Sequence, residues 1–183
     1  MSEELLIKHC SPTLAGIKTA NLFTASFENR EALNACLRCW NCFLTRKGLR
    51  SIPLRFVNGR ALIYVYRPAR LKQDLRQDSA EHILLKRGYC TEAPEKCIAH
   101  LMERLRTRED FPHEIGLFLG YPPEDVSGFI ENRACDCKCL GCWKVYGDVE
   151  AAQKTFAKYK KCTAVYGDLF AQGRSVERLT VAG

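Results

Sequence analysis

The chain has 183 residues, of which 46% are hydrophobic and 27% are charged. This length and composition predict one compact domain over residues 1–183 and exclude a wholly disordered or fibrous chain. The longest apolar run, residues 61–66, is far shorter than the roughly 20 residues of a membrane-spanning helix, so no membrane segment is expected. The amino terminus lacks the basic and apolar regions of a secretory signal, which predicts a cytoplasmic protein.

Two features of the composition are unusual: a net charge of +7 and eleven cysteines. Nine basic residues and one acidic residue fall within residues 46–76, so the excess positive charge is concentrated in one segment. An odd number of cysteines without an export signal favours reduced thiols over a disulfide framework.

The predicted elements begin, in chain order, with a helix over residues 31–46, where apolar residues recur at helical spacing. Next, Asn58-Gly59 predicts a type I′ turn between two antiparallel strands, because both residue types tolerate positive φ. The turn fixes the predicted register: Val57 opposite Arg60, Phe56 opposite Ala61, Leu54 opposite Ile63, and Ile52 opposite Val65.

Further helices are predicted after this hairpin. They cover residues 68–75, a segment capped by Asp78 that stops before Gly88, a segment from Pro94, residues 123–132, and a long helix capped by Asp148. Short strands are expected near residues 143–146 and 179–181. Helices packed around a small antiparallel sheet built on the 52–66 hairpin define an α+β fold.

Several stretches together resemble a known family: HCSPTLAGIKTANLF at 9–23, RALIYVYRP at 60–68, FPHEIGLFLGYPPEDVSGFI at 111–130, WKVYGD at 143–148, and YKKCTAVY at 159–166. The resemblance runs along nearly the full chain. It is to a bacterial family known as "domain of unknown function 3793", found mainly in anaerobic Gram-positive bacteria. The resemblance implies no particular reaction, but the family's gene neighbourhoods imply a link to flavodoxins and iron supply.

Four cysteines within eight residues form the densest candidate site: Cys135, Cys137, Cys139 and Cys142. Thiolates are soft anionic ligands that suit zinc, Cu(I) or an iron–sulfur cluster. Structural zinc sites usually combine two cysteine pairs separated by a dozen or more residues, and this segment supplies all its thiols from one loop. Redox-active or incidental thiols therefore remain the alternative.

A second cluster, Cys36, Cys39 and Cys42, lies within the first predicted helix. Steps of three residues keep the thiols on one broad helix face. Burial of this face against the hairpin is the expected role, since reduced cysteine is commonly buried. A shared metal site with the 135–142 cysteines is the alternative.

Cys10 and His113 form the candidate catalytic pair. Cys10 follows His9 directly, but adjacent side chains diverge and cannot form a dyad. A nucleophilic thiol needs a lowered pKa and hence a base from elsewhere in the chain, and His113 is one such base.

The outer face of the predicted hairpin and the residues after it supply a candidate cofactor or partner surface: Arg55, Arg60, Tyr64, Tyr66, Arg67 and Arg70. Arginine and tyrosine on one face suit a flavin, a haem propionate or an acidic protein such as flavodoxin, and also the bases and phosphates of nucleic acid. We rank the cofactor or acidic partner above nucleic acid, because the rest of the chain is nearly neutral and carries no second basic tract. No RNA-binding signature is present either. Packing of the two tyrosines under a helix is the alternative.

The sequence thus favours a cytoplasmic accessory protein that binds a metal or a redox cofactor through cysteine thiols, in iron or redox homeostasis. A thiol-dependent enzyme using Cys10 is the second hypothesis. A binding module that uses the arginine-rich hairpin is the third.

Overall fold

The structure is a computed structural model that describes residues 3–107 and 111–183. It shows an α+β fold, as the sequence predicts, with a three-stranded antiparallel sheet surrounded by helices. The chain forms two compact units. The first contains residues up to Ala69 together with Lys161–Gly183, and the second contains the described part of Arg70–Lys160.

The first unit begins with α1 (Glu3–Leu14), β1 (Ala20–Ser26), α2 (Arg30–Leu44), a 3-10 turn (Thr45–Lys47), β2 (Arg50–Val57) and β3 (Arg60–Tyr66). The elements that follow are α3 (Pro68–Leu75), α4 (Asp78–Lys86), α5 (Pro94–Thr107), α6 (Ile115–Phe118), α7 (Pro123–Glu131), β4 (Cys139–Leu140), β5 (Lys144–Val145), α8 (Val149–Ala171) and α9 (Val176–Leu179). Helix α9, near the end of the chain, also belongs to the first unit, and helices α3 and α8 each run from one unit into the other.

In the first unit, β3 is the central strand and pairs with both β1 and β2. One face of the sheet carries Phe23, Ile63 and Val65, which join Trp40 of α2 and Leu6 of α1 in a single hydrophobic core. Burial of these large apolar side chains is the main source of stability, at about 25 cal/mol for each Å² of apolar surface removed from water. The apolar stripe of α2 therefore sets the position of the sheet.

The hairpin turn has the predicted geometry, with φ of 50° at Asn58 and 74° at Gly59. The register is also correct next to the turn, where Val57 pairs with Arg60 and Phe56 pairs with Ala61. Ile63 lies in the core and Phe56 packs against it.

On the side of Arg55 away from the turn, the predicted register of β2 is wrong, because a bulge falls between Pro53 and Arg55. Pro53 pairs with Ile63, and Ile52 pairs with Tyr64, so Ile52 lies on the opposite face from the one predicted. Proline has no N–H for the ladder, and bulges are among the few places where a strand accepts it. Leu54 is the extra residue, and it is still buried.

Two other features of the first unit were not predicted correctly. The segment predicted as a strand over 179–181 instead contains the last residue of a short helix, α9, and the two residues after it. Ser175 caps this helix by accepting a hydrogen bond from the Arg178 N–H. Helix α1 and strand β1 have no counterpart among the predicted elements. Pro12 lies inside α1 and masks its helical pattern.

The second unit contains the predicted helices α4, α5 and α7. Asp78 begins α4 as its first residue, with Gln77 in the cap position instead of the predicted Asp78. Asp148 caps α8 as predicted, accepting a hydrogen bond from the Ala151 N–H at 3.0 Å.

Within the described residues, no helix is both long enough and apolar enough to cross a membrane.

Candidate ligand pocket and thiol loop

The segment between α7 and α8, residues 132–148, carries all four cysteines of the 135–142 cluster, and we call it the thiol loop. It folds back on itself as a minimal hairpin in which Cys139 pairs with Val145 and Leu140 with Lys144. The chain reaches the hairpin through residues with positive φ, namely 49° at Arg133, 65° at Ala134 and 56° at Asp136. These left-handed residues turn the backbone sharply, which brings the cysteines into one compact loop.

Asp125 of α7 holds the thiol loop in place. Its Oδ1 accepts hydrogen bonds from the backbone N–H groups of Tyr146 and Gly147, both at 2.7 Å. Its Oδ2 accepts a third from the indole Nε1–H of Trp143 at 2.6 Å. Asp125 is only 3% exposed, so this buried carboxylate is satisfied by N–H donors from the loop.

Two glycines let the thiol loop pack closely. A Cβ on Gly128 of α7 would lie 2.5 Å from the Cβ of Tyr146, and a Cβ on Gly141 would overlap the ring of Phe156 in α8. Real side chains do not approach each other this closely. The thiol loop can therefore pack closely against α7 and α8 only because these two positions have no side chain.

A cavity of about 450 Å³ lies beside the loop, and we call it the aromatic pocket. This volume is within the range of small-molecule sites, about 300–1,000 Å³. Its aromatic and apolar lining comprises Phe111, Ile115, Tyr121, Val126, Phe129, Leu140 and Trp143. The Tyr121 and Trp143 rings stack with centroids 4.7 Å apart, and Phe156 braces Trp143 edge-on at 4.5 Å.

Four ionisable side chains also line the aromatic pocket: His113, Asp125, Cys142 and Lys144. The His113 ring meets Phe129 edge-on at 4.9 Å, and the Lys144 Nζ lies 5.9 Å from the centre of the same ring. Lys144 also donates a hydrogen bond to the Ala134 carbonyl at 2.6 Å. Burial raises the pKa of Tyr121 to about 12, and the nearby Cys142 thiol adds to the effect. Tyr121 therefore stays neutral at physiological pH.

The four cysteines of the thiol loop do not form a closed metal site in this structure. No three His, Cys, Asp or Glu side chains converge within 3–107 and 111–183. All eleven cysteines lie in these described ranges, and none of them forms a disulfide. Cys135 and Cys142 are exposed and Cys137 and Cys139 are half-buried, so all four are accessible to solvent.

The cysteines of α2 differ from the expectation of burial. Only Cys36 packs against the core, and Cys39 and Cys42 are exposed. The apolar stripe of the helix runs through Leu33, Leu37 and Trp40 instead. These larger side chains occupy the face that contacts the sheet.

The two members of the predicted catalytic pair have different environments. Cys10 is fully buried in α1 of the first unit, and burial raises the pKa of its thiol far above the usual value. A high pKa keeps the thiol protonated and opposes a nucleophilic role. His113 belongs to the second unit, where it lines the aromatic pocket.

The residues of the predicted arginine–tyrosine surface do not form one open face. Tyr64 and Tyr66 are buried and stack with centroids 4.8 Å apart. Arg67 is buried and donates hydrogen bonds to the carbonyls of Thr13, Leu14 and Val181, so it ties together the ends of the first unit. Arg55 and Arg60 remain exposed, and Arg70 is half-buried.

The aromatic pocket itself was not predicted from the sequence. The sequence indicates His113 only as a candidate base, without the aromatic residues around it. A signal was present, since Phe129, Trp143 and Phe156 flank the cysteines on both sides. Their convergence depends on the return of the chain through the thiol loop, which no short motif reports.

The fold and the pocket define a small α+β protein with an aromatic, thiol-edged cavity. The family comparison gives a more specific identity. A family model described as "Protein of unknown function (DUF3793)" matches residues 6–180. The chain therefore belongs to this family, as the resemblance implied. No curated protein and no solved structure matches the chain.

Proposed function

We propose that this is a cytoplasmic accessory protein that binds a planar redox cofactor of the flavin type in the aromatic pocket. One observation carries the proposal: stacked aromatic rings, a thiol and two nitrogen-bearing side chains surround a cavity of about 450 Å³. Aromatic walls favour a flat conjugated ligand, because ring faces and edges attract one another beyond simple burial.

The polar groups of the pocket suit such a ligand. His113 and Lys144 offer hydrogen-bond donors, and Lys144 adds a positive charge that favours an anionic substituent such as a phosphate. The Asp125 carboxylate in the same lining is already engaged by three N–H donors of the thiol loop. Cys142 places a polarisable thiol at the wall. The family's implied link to flavodoxins and iron supply is consistent with a redox cofactor.

The test is to purify the protein without oxygen, denature it and identify the released small molecules by mass spectrometry. We expect a conjugated cofactor in the wild type and in Ile130→Ala, whose side chain lines a different cavity. Phe129→Ala should reduce cofactor content at least several-fold, because it removes a ring from the pocket wall. A wild-type protein that neither carries such a molecule nor binds added FMN would overturn the proposal.

Metal binding by the thiol loop is the second candidate function. It is favoured by four accessible thiols within eight residues, a density of soft ligands that suits zinc or an iron–sulfur cluster. The site would close by movement of the loop cysteines, since the described side chains do not converge.

Elemental analysis distinguishes this candidate. Cys137→Ser/Cys139→Ser should lower the zinc or iron content of anaerobically purified protein. The matched control is Cys39→Ser/Cys42→Ser, which removes two exposed cysteines from α2. Equal metal content in wild type and both double variants would eliminate the metal site without bearing on the aromatic pocket.

A further inference from the structure

The second unit has another cavity, which is lined mainly by charged and polar side chains where the aromatic pocket is mainly apolar. This cavity has a volume of about 560 Å³ and is lined by α4, α5 and α7. Four of its side chains carry basic nitrogen: His82, Lys86, Arg87 and Arg104. We call it the basic cavity.

Arg104 is the most deeply placed of these groups, at 6% exposed. Its Nε lies 2.7 Å from Oε1 of Glu114, a carboxylate with no exposed surface. Its Nη1 donates a hydrogen bond to the Arg87 carbonyl at 3.3 Å, and the Tyr89 hydroxyl donates a hydrogen bond to the same Glu114 oxygen at 2.8 Å. These contacts keep the guanidinium at the cavity wall; the contact of its Nε with Glu114 is an ion pair, since within the described residues that N–H donates no hydrogen bond.

Arg87 is less firmly attached to Glu114. Its Nη1 stands 3.6 Å from Glu114 Oε2, beyond ordinary hydrogen-bond length. Within the described residues, this buried Oε2 atom accepts no hydrogen bond. Glu114 therefore pairs closely with Arg104 through Oε1 and only loosely with Arg87 through Oε2. Because each guanidinium has five N–H donors, both arginines keep donors for another acceptor.

The charge balance of the basic cavity favours an anion. Lys86, Arg87 and Arg104 supply three positive charges, against one each from Glu114 and Glu131. Arginine presents a planar fork of donors that matches phosphate geometry, and such charge-assisted bonds are stronger than neutral ones. A phosphate monoester carries about −1.5 to −2 charges at pH 7, and its oxygens can pair directly with these three basic groups.

The remaining wall indicates what the phosphate is attached to. The Ser127 hydroxyl donates a hydrogen bond to Glu131 Oε1 at 2.7 Å, and both residues line the cavity. A hydroxyl and a carboxylate accept hydrogen bonds from ligand hydroxyl groups. The volume also exceeds that needed for a bare phosphate ion.

From these contacts we infer that the basic cavity binds a small phosphorylated, hydroxyl-bearing metabolite of the sugar-phosphate class, with its phosphate on Arg87, Arg104 and Lys86. Glu114 acts as the internal counter-ion that positions Arg104. This site is separate from the aromatic pocket and does not depend on the proposed cofactor.

The test is a calorimetric titration of the full chain with ribose 5-phosphate, ribose and inorganic phosphate. Ribose 5-phosphate should bind most tightly, inorganic phosphate more weakly, and ribose not measurably. Arg87→Gln should weaken ribose 5-phosphate binding roughly tenfold or more, because it removes charge-assisted hydrogen bonds. The matched control, Arg106→Gln, lies on α5, pairs with Glu103 and is exposed, so it should bind as the wild type does.

Circular dichroism and thermal melting establish that both variants fold, and the buried Arg104 is left intact for this reason. Equal weakening by Arg87→Gln and Arg106→Gln would overturn the inference, since it would mean that only general surface charge matters. Absence of ribose 5-phosphate binding to wild type at millimolar concentration would overturn it as well. Ribose binding as tight as that of ribose 5-phosphate would exclude the phosphate contact.

Discussion

At the scale of single residues, two buried acidic side chains organise the second unit in different ways. Asp125 is satisfied by three N–H donors from the thiol loop. Glu114 faces cationic and phenolic partners, and one of its oxygens accepts no hydrogen bond within the described part of the chain. The first arrangement fixes a loop, and the second places the N–H donors of Arg87 and Arg104 at a cavity wall.

Asp125→Asn tests the first arrangement. The amide presents N–H groups where one carboxylate oxygen accepted hydrogen bonds, so at least one donor of the loop loses its acceptor. Since hydrogen bonds to charged groups contribute about 1.5–3 kcal/mol, we expect the free energy of unfolding to fall by about 2–3 kcal/mol in urea titrations. Glu124→Gln, the exposed neighbour on the same helix, should change it by less than about 0.5 kcal/mol. Equal stabilities of the two variants would contradict this role of Asp125.

Cys10 predicts a dependence of stability on pH. Burial raises the pKa of its thiol above the ordinary value of 9.0, so the folded chain keeps a proton that the unfolded chain releases. The resulting stabilisation is fully present below pH 9 and is lost as the pH rises through the range between the unfolded and folded values, at up to about 1.4 kcal/mol per pH unit.

Cys10→Ala should therefore lower stability at pH 7, through loss of packing, and also flatten the fall in stability above pH 9. Unfolding free energies measured under reducing conditions at pH 7, 9 and 10 test this. The exposed Cys39→Ala variant serves as the control and should follow the wild-type slope. A Cys10→Ala slope as steep as that of the wild type would show that the thiol does not contribute.

At the scale of elements, close packing between α7 and the thiol loop positions the pocket wall. Gly128 and Gly167 are both glycines inside helices, but their surroundings differ. A Cβ at Gly128 would meet Tyr146, whereas a Cβ at Gly167 of α8 would meet nothing within 4 Å.

The two alanine substitutions should have opposite effects on thermal stability. Gly167→Ala should stabilise the protein by about 0.5–1 kcal/mol, because alanine loses less backbone entropy in a helix. Gly128→Ala should destabilise it by about 1–3 kcal/mol, because the loop must shift to accommodate the methyl group. If Gly128→Ala is as stable as Gly167→Ala, the loop does not pack against α7 as described.

The elements also show what the sequence can and cannot predict. The hairpin turn was predictable because Asn58-Gly59 is a local signal, and α2 was predictable because its apolar residues recur at helical spacing. The bulge beside Pro53 was not predicted, since the alternating pattern alone favoured an unbroken register. The aromatic pocket depends on the stacking of Tyr121 on Trp143 and on the edge-on contact of His113 with Phe129, two pairs that tertiary packing brings together.

At the scale of the whole molecule, the main hydrophobic core and the two candidate ligand cavities belong to different units. The first contains the sheet, the main hydrophobic core and the exposed Arg55 and Arg60. The second contains both the aromatic pocket and the basic cavity, which are lined by different sets of residues. A ligand of either cavity should raise the stability of the native protein by mass action, in proportion to the logarithm of its concentration over its Kd.

The central claim, a planar cofactor in the aromatic pocket, is tested most directly by the fluorescence of Trp143. The chain has two tryptophans, and Trp40 is buried in the first unit, so Trp40→Phe leaves Trp143 as the only indole reporter. FMN titrated into this protein should quench Trp143 saturably with one equivalent bound. Adding Phe129→Ala should weaken FMN binding roughly tenfold, and adding Ile130→Ala should leave it unchanged. Quenching by FMN that never saturates, or that is identical in all three proteins, would contradict the account.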